Sequence, residues 1–218
     1  MLSFVALVLC APFDPARRVV HSFSRVLVRI FFAVPPFWRQ RVEGLENIDP
    51  KRSYVVVINH NSMLDIPVLY KLPLNFRWVS KREVFNIPIF GQFLLLHGDI
   101  AIQRGNGAEA MAQVLREGRG WLDRGASVAI FPEGTRSKSG GIGRFKAGAF
   151  NLARESGCEI LPVVMWGTRD MLDSRGRFNW RSDIVLRVLP AVQCSGDTVG
   201  DMKVVRESMV EALSQIRE

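Results

Sequence analysis

A histidine and an aspartate lie five positions apart in the stretch NHNSMLD, residues 59–65, which directly follows the apolar run SYVVVI. Histidine is the side chain that most readily exchanges a proton near neutral pH. A tight turn of this length can bring the carboxylate of Asp65 to one imidazole nitrogen of His60, which leaves the other nitrogen free to act as a base. The residues alone leave a second role open, in which His60 and Asp65 only cap the turn.

Ser62 is the candidate nucleophile within the same stretch. A serine nucleophile on an α/β sheet is typically presented by a G-x-S-x-G turn, and this stretch does not contain one. We therefore expect His60 to act directly on the hydroxyl group of a substrate.

Apolar runs of strand length alternate along the chain with segments of helical periodicity. The predicted strands are Tyr54–Asn59, Phe76–Ser80, Asp99–Ile102, Ser127–Phe131, Ile160–Met165 and Ile184–Leu189, and the predicted helices are Ala108–Leu122, Phe145–Glu155 and Asp201–Ile216. Strands separated by helices predict an α/β fold, with a mixed, partly parallel sheet flanked by helices.

Polar stretches follow three of these strands: NHNSMLD, FPEGTRS at residues 131–137 and WGTRD at residues 166–170. In open α/β sheets, ligands bind at the carboxyl ends of the strands, so these stretches are candidates for one site. The glycine-rich segment SKSGGIG, residues 137–143, does not read as a dinucleotide loop, because it lacks the third glycine and does not join a strand directly to a helix.

Residues 17–38 have the pattern of a cationic amphipathic helix, with apolar residues from Val19 to Val34 on one stripe and Arg18, Arg25 and Arg29 on the other side. Such a helix fits a membrane interface, although an ordinary surface helix packed on the core has the same pattern. Residues 1–13 are apolar but shorter than the about 20 residues that span a bilayer. We expect residues 1–40 to form a membrane-associating segment and residues 41–218 a catalytic domain.

The 218-residue chain has 29 Lys and Arg against 21 Asp and Glu, a formal net charge of +8. This excess favours anionic partners such as anionic lipid, phosphorylated substrates or nucleic acid. The hydrophobic fraction of 48% excludes a disordered chain. Three scattered cysteines and three scattered histidines show neither a disulfide framework nor the spacing of a metal site.

Four stretches in order resemble the blocks of the glycerolipid acyltransferase family, specifically its bacterial 1-acylglycerol-3-phosphate acyltransferase branch. They are NH-x-S-x-x-D from residue 59, SKREVFNIPIFG followed by IAIQR, FPEGTRS, and LPVVMWG. Where members often carry Gly-Gly before the apolar residues of the second block, this chain has His97, Gly98 and Asp99. The departure concerns local geometry and leaves the arginine of that block in place.

The resemblance implies that His60 removes the proton of an acceptor hydroxyl that attacks an acyl thioester, and that Asp65 orients His60. It implies an acceptor-binding set whose cations hold a phosphate group: Lys81, Arg104, Glu133, Gly134, Thr135 and Arg136. Alternatively, Glu133 is a structural partner of Arg136. Pro162 and Gly167 of the fourth block, and His21 and His97 elsewhere, are expected to be structural.

The implied reaction moves a fatty acyl group to the sn-2 hydroxyl of lysophosphatidic acid and produces phosphatidic acid. The donor is acyl-CoA or acyl carrier protein, without a bound cofactor, a metal or a nucleic acid partner. The implied location is the cytoplasmic face of the inner membrane. Glycerol-3-phosphate or another lysolipid as acceptor, and a hydrolase, are the alternatives. Lys138, Arg144 and Lys146 extend a basic rim that is either a solvated face or a contact for headgroups or donor phosphates.

Overall fold

A seven-stranded sheet organises the computed structural model, which describes residues 13–33, 38–88, 90–103, 107–171, 177–179 and 181–217. The strands are β1 (Trp38–Glu43), β2 (Val55–Ile58), β3 (Phe76–Lys81), β4 (Ile100–Ile102), β5 (Ser127–Ile130), β6 (Ile160–Trp166) and β7 (Ser182–Val188), in the order β1-β7-β6-β2-β5-β3-β4. Strands β2 to β6 run parallel, β7 is antiparallel to β6, and β1 is parallel to β7. The predicted α/β fold with a mixed, partly parallel sheet flanked by helices is confirmed, and most of the strand pairs are parallel.

All six predicted strands are present, and β1 is an additional strand that the sequence pattern did not indicate. Its sequence WRQRVE contains no apolar run, because β1 lies at the edge of the sheet and only Trp38 is buried. In contrast, β2 at the centre reads VVVI, and all four of its residues are buried. A strand covered on both faces gives a continuous apolar run, whereas an edge strand does not need one.

Helices cover both faces of the sheet. They are α1 (Arg18–Ala33), α2 (Asp65–Leu69), α3 (Phe90–His97), α4 (Gly107–Asp123), α5 (Gly148–Ser156) and α6 (Thr198–Arg217), with 3-10 turns at Leu45–Asn47 and Arg82–Asn86. The predicted helices correspond to α4, α5 and α6. These three helices pack on one face of the sheet, against Val55 and Val57, and α1 and α2 pack on the other face, against Val56 and Ile58.

Helix α1 has an unusual distribution of side chains. Polar His21 and Ser24 point inward and are buried, whereas much of the predicted apolar stripe is exposed to solvent: Val19, Val26, Leu27, Ile30 and Phe31. Arg18 and Arg29 are exposed, but Arg25 is half-buried, and burial lowers its pKa. An ordinary surface helix packs its apolar face on the core, whereas α1 buries only Val20 and Phe32 together with His21 and Ser24, and leaves much of its apolar stripe exposed.

No helix in the described part of the chain is both long and apolar enough to cross a bilayer. Residues 1–12, which carry the N-terminal apolar stretch, lie outside the described residues, and so do residues 34–37 at the end of the predicted amphipathic segment.

A buried polar network attaches α1 to the body of the protein. His21 Nδ1 lies 3.0 Å from His97 Nε2, and His97 Nδ1 lies 2.8 Å from Asp99 Oδ1. Asp99 Oδ1 also accepts a hydrogen bond from the backbone N–H of Trp78 in β3. Burial, followed by the positive charge of neighbouring groups, lowers the pKa of His21 to about 2, so this imidazole is neutral at working pH. The two histidines are therefore packed and hydrogen-bonded, as the sequence predicted.

Candidate functional site

The candidate site lies at the carboxyl end of β2, the strand that pairs with β5 on one side and β6 on the other. Because the three strands are parallel, the segments that follow them meet at one edge of the sheet. His60 comes two residues after β2, residues 131–137 follow β5, and Gly167 and Thr168 follow β6. All three polar stretches singled out in the sequence are thus brought to the same edge.

His60 and Asp65 are in direct contact, with His60 Nδ1 2.8 Å from Asp65 Oδ2. The Asp65 side chain is fully buried, and Oδ2 also accepts hydrogen bonds from the backbone N–H groups of Asn61 at 2.7 Å and Ser62 at 2.8 Å. One carboxylate therefore both holds the turn and contacts the imidazole. Nδ1 is occupied, which leaves Nε2 for proton transfer, and 17% of the His60 side chain is exposed.

The second oxygen of Asp65 has a partner that the sequence did not reveal. The hydroxyl group of Thr168, a fully buried residue just after β6, donates a hydrogen bond to Asp65 Oδ1. The turn that carries Thr168 depends on Gly167, which has a φ of +86° and whose Cβ, if present, would lie 1.8 Å from the carbonyl oxygen of Asp183. The structural role expected for Gly167 is thus explained, and the signal for Thr168 was its place in the strand-end stretch WGTRD.

Asn59 joins the ends of β2 and β6. Its side-chain N–H donates to the carbonyl oxygen of Met165 at 2.9 Å, and its side-chain oxygen accepts from the N–H of Met165 at 2.7 Å. The fully buried amide therefore continues the strand pairing for one step beyond β2. This pair fixes the distance between the His60 turn and the segment that carries Thr168.

Glu133 supports the histidine from the β5 side. One carboxylate oxygen accepts the backbone N–H of His60 at 3.1 Å, and the other accepts the backbone N–H of Gly143 at 2.8 Å. The carbonyl oxygen of His60 in turn accepts the N–H of Ser137 at 2.7 Å. Glu133 thus has a structural role, but its partners are backbone groups of two loops rather than the Arg136 considered from sequence.

An aromatic ring covers one face of the imidazole. Phe131 stacks on His60 with ring centroids 3.9 Å apart and an interplanar angle of 16°, and Trp78 stacks on the far side of Phe131 at 5.0 Å. A ring stacked this closely restricts rotation of the imidazole. Sequence reasoning placed Phe131 at the end of a strand and gave it no further role.

The cationic candidates lie at the same edge of the sheet. Lys81 is the last residue of β3, which neighbours β5, and its side chain is exposed. Thr135 and Arg136 are exposed in the segment after β5, and Gly134 has a φ of +69° with Lys146 packed against it. Arg104 lies outside the described residues. Within the described ranges, no three His, Cys, Asp or Glu side chains are grouped so that they could hold a metal ion.

The same segments are matched by comparisons with known proteins. Residues 39–166 match the family model described as acyltransferase. The chain is 38% identical over 157 residues to the chloroplastic 1-acyl-sn-glycerol-3-phosphate acyltransferase LPAT1 of Arabidopsis thaliana, covering 72% of this chain and 44% of that protein. It is 33% identical over 183 residues to the human 1-acyl-sn-glycerol-3-phosphate acyltransferase alpha, covering 82% of this chain and 65% of that protein.

A similar fold is found in the crystal structure of the 1-acyl-sn-glycerophosphate acyltransferase PlsC from Thermotoga maritima. The TM-score is 0.73 at 27% sequence identity, and the match covers 92% of this chain and 79% of that chain. The chain spans about half the length of the plant relatives that it matches.

Proposed function

The chain belongs to the acyltransferase family, and from that premise we propose that it transfers a fatty acyl group from a thioester donor to the sn-2 hydroxyl of lysophosphatidic acid. The product is phosphatidic acid. The observation that carries the proposal is the His60–Asp65 pair, in which Nδ1 is held by a buried carboxylate at the edge of the sheet where the cationic residues lie. The activities for which these relatives are named favour lysophosphatidic acid over the other acceptors.

His60 Nε2 serves as the general base in the proposed reaction. It removes the proton of the acceptor hydroxyl as the oxygen attacks the thioester carbonyl carbon. The C–O bond forms, the carbon–sulfur bond breaks, and the thiolate leaves and is protonated to the free thiol. A thiol has a pKa of about 8.5, so it leaves far more easily than an alkoxide. The transfer therefore needs no covalent acyl-enzyme.

The surroundings of His60 favour the imidazolium formed during attack. Asp65 lies 2.8 Å from Nδ1, and Phe131 presents its ring face at 3.9 Å between centroids. A buried carboxylate and a stacked ring both stabilise the positive charge that develops on the imidazole. Because Asp65 is itself held by Thr168 and two backbone N–H groups, it is oriented before the substrate arrives.

One assay tests the reaction class and the acceptor together. Protein in detergent or lipid is offered lysophosphatidic acid, other lysolipids and glycerol-3-phosphate, each with acyl-CoA and with acyl carrier protein thioester, and the products are identified by mass. We expect phosphatidic acid from lysophosphatidic acid. Free fatty acid as the main product would instead identify a hydrolase, and a different acylated lipid would reassign the acceptor.

We propose that Lys81 and Arg136, with Arg104 from the second block, hold the acceptor phosphate. Lys81 at the end of β3 and Arg136 in the segment after β5 put two cations at the edge that carries His60. Arginine can grip a phosphate through two parallel hydrogen bonds, whereas lysine acts as a point charge. Thr135 lies in the same exposed segment and adds a hydroxyl group to this acceptor site.

Replacing Arg136 by glutamine is expected to raise the KM for lysophosphatidic acid about tenfold, the value of one charge-assisted hydrogen bond at an accessible site. The KM for the acyl donor should change much less. Steady-state kinetics with each substrate varied in turn measures both. Arg169→Gln is a matched control, because Arg169 is also exposed after a strand at this edge. A rise confined to the donor KM would move Arg136 to the donor site.

We also propose that α1 docks the protein on the cytoplasmic face of an anionic membrane, and that the rest of the described chain forms the catalytic domain. The support is the outward apolar surface of α1, in which Val26 is 51% and Ile30 is 56% exposed, flanked by exposed Arg18 and Arg29. An interfacial helix buries such a surface at the acyl boundary and places its arginines among lipid phosphates. Docking would bring the site to an acceptor whose acyl chain stays in the bilayer.

The double variant Val26→Ser/Ile30→Ser is expected to bind anionic vesicles about 30-fold more weakly, since each half-exposed side chain loses about 1 kcal/mol of burial in lipid. Vesicle co-sedimentation measures this loss. Val204→Ser/Val210→Ser is the matched control, because both valines are exposed on α6, on the other face of the sheet. Equal binding by the wild type and both variants would show that α1 does not dock through this surface.

A further inference from the structure

A groove of about 370 Å³ lies between residues 143–145 and the first half of α6. Its wall is cationic, with Arg144, Lys203 and Arg206 against a single acidic residue, Glu207, and its apolar part includes Phe145 and Met202. The volume lies in the range of pockets that hold small ligands, which are typically about 300–1,000 Å³. The charge favours a ligand that carries phosphate groups.

Arg206 is held in place on this wall. Its Nε donates to the carbonyl oxygen of Gly143 at 2.7 Å, and one terminal nitrogen donates to the carbonyl oxygen of Ile142 at 3.0 Å. A guanidinium group has five N–H donors, so these two bonds orient the group without using all of its donors. Lys203 and Arg144 are exposed at the groove. An arginine held by two hydrogen bonds beside two exposed cations is a suitable arrangement for a phosphate group.

The groove is connected to the catalytic histidine through one carboxylate. Gly143, at the rim of the groove, donates its N–H to one oxygen of Glu133, and the other oxygen accepts the N–H of His60. One carboxylate thus bridges the backbone of His60 and the backbone of Gly143 at the rim of the groove. A ligand in the groove can extend a flexible arm to the reacting edge.

The position of the groove separates it from the acceptor. Helix α6 packs with α4 and α5 on one face of the sheet, whereas α1 packs on the opposite face. The acceptor lipid approaches from the membrane side, where α1 lies, and its phosphate is assigned to Lys81 and Arg136. A donor with a water-soluble carrier is free to approach from the face of α6.

We infer that this groove binds the phosphate-bearing end of the acyl donor. The inference rests on the proposed function. Coenzyme A and acyl carrier protein both present the thioester on a phosphopantetheine arm, so a phosphate group is common to the two donors. Arg144, Lys203 and Arg206 neutralise that phosphate, and the arm carries the thioester past Gly143 to His60.

The test is the double variant Arg144→Gln/Lys203→Gln, which removes two exposed cations and leaves the residues around His60 intact. The KM for palmitoyl-CoA is expected to rise about fivefold, the sum of two solvent-exposed charge contacts. The KM for lysophosphatidic acid and kcat at saturating donor should not change. Lys51→Gln/Arg119→Gln is the matched control, because it removes one lysine and one arginine that are also exposed, before β2 and near the end of α4.

Four donors identify which phosphate is bound: palmitoyl-CoA, its 3′-dephospho form, palmitoyl-phosphopantetheine and palmitoyl-acyl carrier protein. An effect kept by palmitoyl-phosphopantetheine assigns the arm phosphate and supports the inference. An effect lost with the 3′-dephospho donor assigns the nucleotide phosphate, which acyl carrier protein lacks, and overturns it. An effect seen only with acyl carrier protein would show a protein contact and overturn the inference. An unchanged donor KM, or the same rise in the control, would also overturn it.

Failure of the groove assignment is distinguishable from failure of the proposed function. A wild-type protein that transfers acyl groups but shows no shift in donor KM refutes only the groove. If the wild type transfers to no acceptor, calorimetric titration with coenzyme A alone still tests the groove. The groove assignment is supported if the wild type binds coenzyme A, the double variant binds it more weakly and the control binds it as the wild type does. It is refuted if the wild type does not bind coenzyme A.

Discussion

Replacing His60 by alanine is expected to lower the rate of acyl transfer by about 10²–10⁴-fold, the usual contribution of a general base. The variant keeps the backbone N–H that donates to Glu133 and the carbonyl oxygen that accepts from Ser137, so the turn should still form. The loss should therefore appear in kcat, with little change in the melting temperature or in vesicle binding. Initial rates at saturating concentrations of both substrates provide the measurement.

Added imidazole supplies a control for this variant. The space between Phe131 and Asp65 that the ring vacates can take a free imidazole, stacked at one side and hydrogen-bonded at the other. If the variant lacks only its base, added imidazole should partly restore its rate. The same imidazole should not raise the rate of the wild type. Turnover of His60→Ala within tenfold of the wild type would remove His60 from the mechanism.

Asp65→Asn is expected to lower kcat by about 10²–10³-fold through loss of charge, since a carboxylate beside a forming imidazolium is worth several kcal/mol even at an effective dielectric constant of about 20. The amide should keep its oxygen at the position of Oδ2, because two backbone N–H groups and His60 meet there. Its NH₂ group then faces the hydroxyl of Thr168, which can accept the hydrogen bond. The fold should thus survive while the imidazolium is no longer neutralised.

Variants of Thr168 test the orientation of Asp65 without changing its charge. Thr168→Ser keeps the hydroxyl group and should stay close to the wild-type rate, whereas Thr168→Val has the same shape, loses the donor to Asp65 and should be slower in kcat with KM unchanged. In an Asp65→Asn background the valine substitution should have a smaller effect on kcat, because contacting residues are not additive. Equal rates for the serine and valine variants would show that the hydroxyl group does not position Asp65.

The part of the site that could be predicted from the sequence is the part formed by neighbouring residues. His60 and Asp65 belong to one turn, and their spacing was enough to predict the contact. Thr168 meets Asp65 across 103 positions and Glu133 meets His60 across 73, so these bonds depend on the order of strands β6, β2 and β5. One sequence gives the strands but not their order.

The fold shows a similar division. Central strands such as β2 carry an apolar run and were predicted, whereas β1 at the edge carries mostly polar residues and was not. The periodicity of α1 predicted an apolar stripe, but a period does not tell which side of a helix meets the core. In the structure, polar His21 and Ser24 are buried together with Val20 and Phe32, whereas Val26 and Ile30 of the apolar stripe are exposed.

The backbone of His60 is clamped on both sides by the segment after β5, through Glu133 on its N–H and Ser137 on its carbonyl oxygen. The His60 turn and the segment after β5 therefore hold each other in position, although they are distant in the chain. Anyone who transplants this site into a designed protein would have to copy three adjacent parallel strands together with their endings. A graft of the His60 turn alone would carry the imidazole but lack the hydrogen bonds from the other segments that hold it in place.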